Sequence, residues 1–353
     1  MRICYLGDAN VQVRRVAEYF ISAGDDVHVV TARPASIPGA QVHSFAGPLA
    51  RGRGAFLLGL PEARRLVTSL RPDLVHVFYA TSYGLVASMI PGPPVALSPM
   101  GSDVLVSARS SRLMSFMVRR AIARADVIFS VAPHMTSALV ALGAPADRVH
   151  TFPRGVDLER FPFSPTRGTG GRPVILSNRR LEAVYNIEQL VRAAPAVLRR
   201  YPDVVFQVFG EGSLRRDLEA LAKTLGLSAS VRFLGVVDHD LVPSTLREAD
   251  LYVSCSRSDG TSVSLLEAMA AGLYPVVSDI EANRSWITHG ANGSLFPLDD
   301  SDALSSALSA ALASRESLGD LLRANRALVE ERASWSSNMH RMRAVYNRLV
   351  QTA

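Results

Sequence analysis

Lysine is almost absent from this chain: Lys223 stands alone within a Lys+Arg total of 38. The net charge of +6 is therefore carried by arginine, whose planar fork suits phosphate and carboxylate. The arginines are spread along the chain, and no zinc-finger, basic-zipper or RNA-recognition pattern accompanies them, so no specific nucleic-acid partner is expected. Cysteine is nearly as scarce. Cys4 and Cys255 both lie in strand-like apolar segments, which leaves no disulfide framework or zinc site and fits a reducing compartment. No apolar run approaches the roughly 20 residues of a transmembrane helix. MRICYLGDAN enters a strand without a signal-type apolar region, so a cytoplasmic protein is expected, with peripheral contact at the inner face of the membrane as an extension of that reading. The eight histidines show no H-x3-H or H-E-x-x-H spacing, so no metal is expected. The lack of a G-x-S-x-G elbow and of a G-x-G-x-x-G fingerprint removes the hydrolase-triad and NAD-dehydrogenase readings.

What is present is a globular composition, 48% hydrophobic and 20% charged, in a chain of 353 residues, long enough for two domains. Short β-branched runs alternate with amphipathic helical patterns. The first half offers RICYL, VHVVT, VHSF, LVHVF, PVALS, VIFSVA and VHTFP as strands. Between two of them, Val13, Val16, Ala17, Phe20 and Ile21 recur at helical spacing and stop at Gly24. The second half offers VILSN, VVFQVFG, VRFLG, LYVSC, YPVVSD and SLFP. Such repetition predicts an α/β protein of two doubly wound, Rossmann-like parallel-sheet domains facing an interdomain cleft. The expected boundaries are 1–166 for an acceptor-side domain, 167–172 for a Gly-rich linker and 173–334 for a donor-binding domain. A C-terminal helix over 335–353 is expected to pack back across the first domain.

The most informative stretch is SRSDGTSVSLLEAMAAG, residues 256–272. Glu267 sits inside an apolar run, and a buried carboxylate is costly unless a protein group or a ligand satisfies it. Gly260, Thr261, Ser262 and Val263 open a helix, with Ser262 or Ser264 as its cap, and helix starts attract anions. Asp259 precedes that start. The site thus combines a phosphate-friendly helix end with two carboxylates able to accept hydrogen bonds from sugar hydroxyls.

This stretch resembles the E-x7-E signature of retaining glycosyltransferases of the GT-B fold, in particular glycosyltransferase family 4, with Asp259 and Glu267 in the two acidic positions. The resemblance extends over the chain through GDANVQVRRVAEYF, SPMGSDVL, FPRGVDLERF and SNRRLEAVYNIEQLVRA. It implies a hexosyl transfer from a nucleotide diphosphate sugar, UDP favoured, to a saccharide, lipid-linked or small-molecule acceptor, with no cofactor or metal. It also implies that Glu267 holds the nucleotide ribose and that Asp259 approaches the donor sugar. Arg180 would hold the diphosphate, assisted by Arg179, and Gly7 would face it. Gly210 and Phe233 would lie near base and phosphates, and Asn10, Met100 and Asp103 on the acceptor or cleft side. Three positions depart from the family pattern: Asp259 where Glu is usual, Met100 where many members have His, and Tyr185 where a diphosphate-binding Lys is usual. Two other readings stay open: a nucleotide-sugar epimerase of the same fold, and a non-catalytic sugar-nucleotide binder, which Met100 and Tyr185 motivate.

Weaker signals have plain alternatives. Asp238-His239-Asp240 spells D-x-D but reads better as a capping turn. RSSRLMSFMVRRAIARAD, from Arg109, is a basic amphipathic helix that suits either an anionic membrane surface or ordinary solvation. RGRGAFLLG, from Arg51, is a loop with an exposed-looking Phe56, near the acceptor or simply a connection.

Overall fold

The computed structural model describes residues 1–45, 56, 58–164 and 171–352. The Arg51 loop lies outside the described residues apart from Phe56, Leu58 and Gly59, as does most of the expected linker. The chain divides into two compact units, Met1–Pro153 with Ser337–Ala353, and Arg154–Ser336.

The first unit contains seven strands: β1 (Arg2–Leu6), β2 (Asp26–Thr31), β3 (Gln41–Ser44), β4 (Leu74–Phe78), β5 (Val95–Ser98), β6 (Val127–Ser130) and β7 (Val149–Thr151). They form one sheet in the order β3-β2-β1-β4-β5-β6-β7, and every pairing is parallel. The β-branched runs are buried on both faces because helices cover both sides of a parallel sheet. Ile3, Tyr5 and Leu6 are fully buried, each such side chain contributing about 1.5–3 kcal/mol. Helix Val11–Ser22 buries Val13, Val16, Ala17 and Phe20, the stripe expected from its spacing. Its exit uses Gly24 at φ +85°.

Helix Trp335–Thr352 supplies Tyr346 to this core, stacked on Phe20 at 4.9 Å between ring centroids. The Tyr346 hydroxyl meets Nδ1 of the fully buried His76, whose Nε2 lies 2.7 Å from Ser98 Oγ. Arg343 of the same helix pairs with Asp25, which also binds the N-terminal ammonium at 2.9 Å. Phe56 is half-buried, edge-on to Phe45 and Tyr83, and is not the exposed aromatic that its loop suggested.

The second unit contains six strands: β8 (Val174–Asn178), β9 (Val205–Phe209), β10 (Val231–Gly235), β11 (Leu251–Ser254), β12 (Tyr274–Ser278) and β13 (Ser294–Phe296). Their order is β10-β9-β8-β11-β12-β13, again all parallel. The division between units falls at Pro153–Arg154, ahead of the Gly-rich stretch, for a packing reason. Val156 bridges Ser334, Phe161 is buried, and Arg326 donates to the carbonyls of Phe161, Leu158 and Ala270. Residues 154–164 are thereby built into the second unit before the glycines are reached.

Candidate active site

In the second sheet the strand order reverses between β8 and β11, which pair through Ile175–Leu251 and Leu176–Tyr252. Crevices outside the carboxyl ends of strands at such a reversal are where doubly wound sheets bind ligands. Three elements converge here: the end of β8, the loop after β11, and helix Val263–Ala271. The helix starts at Ser262, whose Oγ accepts the Leu265 N–H at 3.2 Å, and stops at Gly272, φ +89°. Ala268, Ala270 and Ala271 are fully or almost fully buried, letting the helix lie close on the sheet.

Arg179, 9% exposed, organises the crevice. Its Nη1 donates to Ser262 Oγ and Ser264 Oγ, both at 2.9 Å, and its Nη2 to Asp259 Oδ2 at 2.5 Å. The ring of Tyr185, which stands where the family usually has lysine, lies beneath the guanidinium, 4.5 Å from centroid to Cζ. A desolvated contact of this kind is worth about 1–2 kcal/mol. Burial works against the charge on Arg179. Asp259, with Tyr252 and Tyr185, outweighs it and holds the guanidinium pKa above its ordinary value. The guanidinium therefore stays charged at any physiological pH. Asp259 also accepts the Gly260 N–H at 2.9 Å, so one of its oxygens is fixed by the loop and the other by Arg179.

Two glycines let the next loop reach this segment. Gly210 has φ +132°, and a Cβ there would come within 2.4 Å of the Arg179 carbonyl oxygen. A Cβ at Gly212 would come within 2.2 Å of the Leu181 carbonyl oxygen. Leu181 N–H in turn donates to Glu211 O at 3.0 Å. VFGEG thus acts here through backbone docking on the arginine segment.

Arg180 points the other way. Its side chain is 71% exposed, with Glu182 at 3.6 Å, and it takes no part in the Arg179 cluster. Glu267 is 5% exposed, one residue after the fully buried Leu266. Phe233 is half-buried on edge strand β10 and its carbonyl accepts from Arg215 at 3.3 Å. In the first unit, Gly7 follows β1 and packs so closely on Phe78 that a Cβ would stand 3.0 Å from it.

Two residues expected on the acceptor side bond to backbone groups of their own unit. Asn10 is a helix cap: its Oδ1 accepts the N–H groups of Gln12 and Val13 at 3.0 and 3.1 Å. Asp103 is buried, and four backbone N–H groups, from Ala80, Met100, Gly101 and Val104, take up its two oxygens at 2.6–3.1 Å. Its carboxylate holds the Met100 loop in shape. Met100 itself is half-buried. Asp238 accepts the Asp240 N–H at 3.0 Å, the expected capping turn.

One supporting group was not foreseen. Arg257 grips Asp299 at 2.5 and 2.6 Å and Asn186 Oδ1 at 3.2 Å, while its own N–H reaches Val184 O at 2.8 Å. It ties the β11 loop to the turn that carries Tyr185. Asn186 adopts φ +51° there, a left-handed turn that asparagine tolerates.

Two family profiles account for most of the chain. Residues 9–160 match the family described as Glycosyltransferase Family 4, and residues 163–327 match Glycosyl transferases group 1. The chain belongs to the group 1 glycosyltransferases, of the family 4 type.

Among its relatives, the phosphatidyl-myo-inositol mannosyltransferase of Mycolicibacterium smegmatis is 35% identical over 173 residues, 48% of this chain and 43% of that protein. The GDP-mannose-dependent alpha-(1-6)-phosphatidylinositol monomannoside mannosyltransferase of the same organism is 26% identical over 285 residues, 76% of this chain and 64% of that protein. The match to each thus spans less than two thirds of the relative's own length. In fold, this glycosyltransferase is similar to sucrose-phosphate synthase from Thermosynechococcus elongatus, with TM-score 0.86 and 19% identity over the whole of both chains. Anabaena HepE in complex with UDP and glucose gives 0.78 at 18% identity, over 99% of this chain and 100% of that one. The two-unit architecture is that of the GT-B glycosyltransferases.

Proposed function

We propose that this group 1 glycosyltransferase moves a hexose from a nucleoside diphosphate sugar to an acceptor hydroxyl, with retention at the anomeric carbon and without a metal ion. The observation that carries the reading is the meeting of Arg179, Asp259, Ser262 and Ser264 at the point where the second sheet reverses its strand order.

In this reading Arg179 is committed to Asp259 and holds that carboxylate toward the donor sugar. Arg180, exposed beside it, is the guanidinium available to a diphosphate. The start of helix Val263–Ala271 adds backbone N–H groups and the positive end of its dipole. Glu267 is assigned to the ribose hydroxyls. As the bond from the anomeric carbon to the β-phosphate oxygen breaks, charge grows on the diphosphate, where Arg180 and the helix start stabilise it. The acceptor oxygen forms the new bond on the same face, and its proton passes to the departing phosphate. No enzymic nucleophile is needed.

The mannosyltransferase relatives put a mannosyl donor and an inositol lipid acceptor first among the substrates, so GDP-mannose is tested first. UDP-sugars follow, since family frequency favours UDP. The test is a thermal-shift screen of the purified chain with GDP, UDP, ADP and TDP, each with and without EDTA. A ligand at 100 times its dissociation constant adds about 2.7 kcal/mol of stability. Stabilisation by one nucleotide, unaffected by EDTA, supports the reading and names the donor class. No shift with any of them sinks it.

A further inference from the structure

We propose that helix Arg112–Arg124 of the first unit, with the turns just before it, is a docking surface for an anionic lipid bilayer. The helix is capped by Ser111, whose Oγ accepts the Met114 N–H at 3.2 Å, and it turns Val118, Ala121 and Ile122 into the core. Its opposite face is not the polar face that a solvated helix presents. Leu113 is 63% exposed and Phe116 59%, three residues apart, and Val106 just upstream is 48% exposed. Large apolar side chains that adjoin on an exposed face and are rimmed by charged residues mark an interaction surface.

The charges around these side chains say what the cover is. The chain has no aspartate or glutamate between Asp103 and Asp126, but five arginines: Arg109, Arg112, Arg119, Arg120 and Arg124. Arg124 is spent on Asp126 and the carbonyls of Ile90 and Pro93, and Arg119 donates to Leu142 O. Arg109, Arg112 and Arg120 are exposed and form no ion pair among the described residues. On one helix, Arg112, Leu113, Phe116 and Arg120 follow the spacing of a single face. Large apolar side chains between unpaired arginines suit a helix lying in the headgroup plane, its apolar residues among acyl chains and its guanidinium groups on lipid phosphates. No helix among the described residues is long and apolar enough to cross the membrane.

The surface is independent of the donor site, and its test does not depend on nucleotide binding. The full chain is floated with vesicles of phosphatidylcholine alone, and with vesicles carrying about one third phosphatidylglycerol, at ~0.1 M salt. The expected result is binding to the anionic vesicles only. The double variants Leu113→Ser/Phe116→Ser and Arg112→Gln/Arg120→Gln should each weaken it on the order of tenfold while leaving the melting temperature and the nucleotide thermal shift in place. In a second measurement, Phe116→Trp should add blue-shifted emission on anionic vesicles that the parent chain lacks. Failure to bind anionic vesicles, equal binding to neutral ones, or full binding by the Leu113/Phe116 variant would each overturn the proposal. The last of these would mark the arginines as a contact for a soluble polyanion.

Discussion

Arg179 and Asp259 stand 80 residues apart in the sequence and 2.5 Å apart in space. The contact exists because β8 and β11 are neighbours at the strand-order reversal, and each delivers its next residues to the same crevice. Asp259 is 19% exposed on its side chain and Arg179 9%, so neither charge is well hydrated without the other. Removing one partner of such a pair leaves the other buried and uncompensated.

The Asp259→Asn variant should therefore lose about 2–4 kcal/mol of stability, near the lower end for buried pairs because the site is partly open. Urea unfolding measures this directly. On the proposed reading turnover should fall much further, since Arg179 loses one of its anchors and the carboxylate assigned to the donor sugar is gone. A variant as stable and as active as the parent chain would show that the pair is incidental.

The glycines of VFGEG provide a sharper contrast. Gly210→Ala should cost more than 2 kcal/mol, because the new methyl meets the Arg179 carbonyl oxygen at 2.4 Å and the backbone holds φ +132°. Gly226→Ala should cost only about 1 kcal/mol: its φ is +72°, but nothing lies within 4 Å of the added carbon. Equal losses at both sites would mean that backbone conformation, not close approach to the arginine segment, sets the cost. Nucleotide affinity should fall at Gly210 and hold at Gly226.

Much of this architecture was legible in the sequence, and the limits are physical. Thirteen β-branched runs such as LVHVF and YPVVS are strands because buried parallel strands need little beyond apolar, branched residues. The loop Asp259–Ser262 and its helix were legible for a similar reason: cap, glycine and small residues are local signals. What was not legible is which of two adjacent arginines turns inward. Arg179 and Arg180 follow the end of one strand, where successive side chains point to opposite sides, and nothing local distinguishes them. Asp103 and Arg257 escaped for another reason. Asp103 takes one of its backbone partners from 23 residues away, and Arg257 takes Asp299 from 42. The roles of both residues are set by the finished fold.

Protonation should weaken the first unit on the acid side of neutrality. His43 packs against His28, Nε2 to Nδ1 at 3.1 Å, with Asp26 3.3 Å from His28. Burial, then the neighbouring His28, lowers the His43 pKa below 6.5; burial and Arg348 do the same for His150. A histidine with a depressed folded pKa binds its proton more readily unfolded, so stability rises with pH across that window. The contribution is complete above the unfolded value near 6.5 and is lost as pH falls through the lowered folded values. Denaturant midpoints at pH 7.5 and 5.5 should therefore drop toward acid, and His43→Gln should flatten part of the slope. An unchanged slope in that variant assigns the acid sensitivity elsewhere.

Glu267 is the residue on which the nucleotide assignment turns. It lies in helix Val263–Ala271, 5% exposed, and its neighbours along the helix, Leu265, Leu266, Ala268 and Met269, are buried and apolar. A carboxylate is retained at such a position either to hold the fold or to hold a ligand, and the isosteric change separates the two. If it holds the ribose, Glu267→Gln should keep the melting temperature within a few degrees while nucleotide affinity falls about tenfold or more, the loss of one or more charge-assisted hydrogen bonds. Titration calorimetry with the nucleotide found in the thermal-shift screen measures it. If the carboxylate instead supports the fold, the amide should lower the melting temperature and leave the affinity of the folded fraction unchanged. The ribose would then have to be held by the loop Gly260–Ser262, and Thr261 would be the next residue to replace.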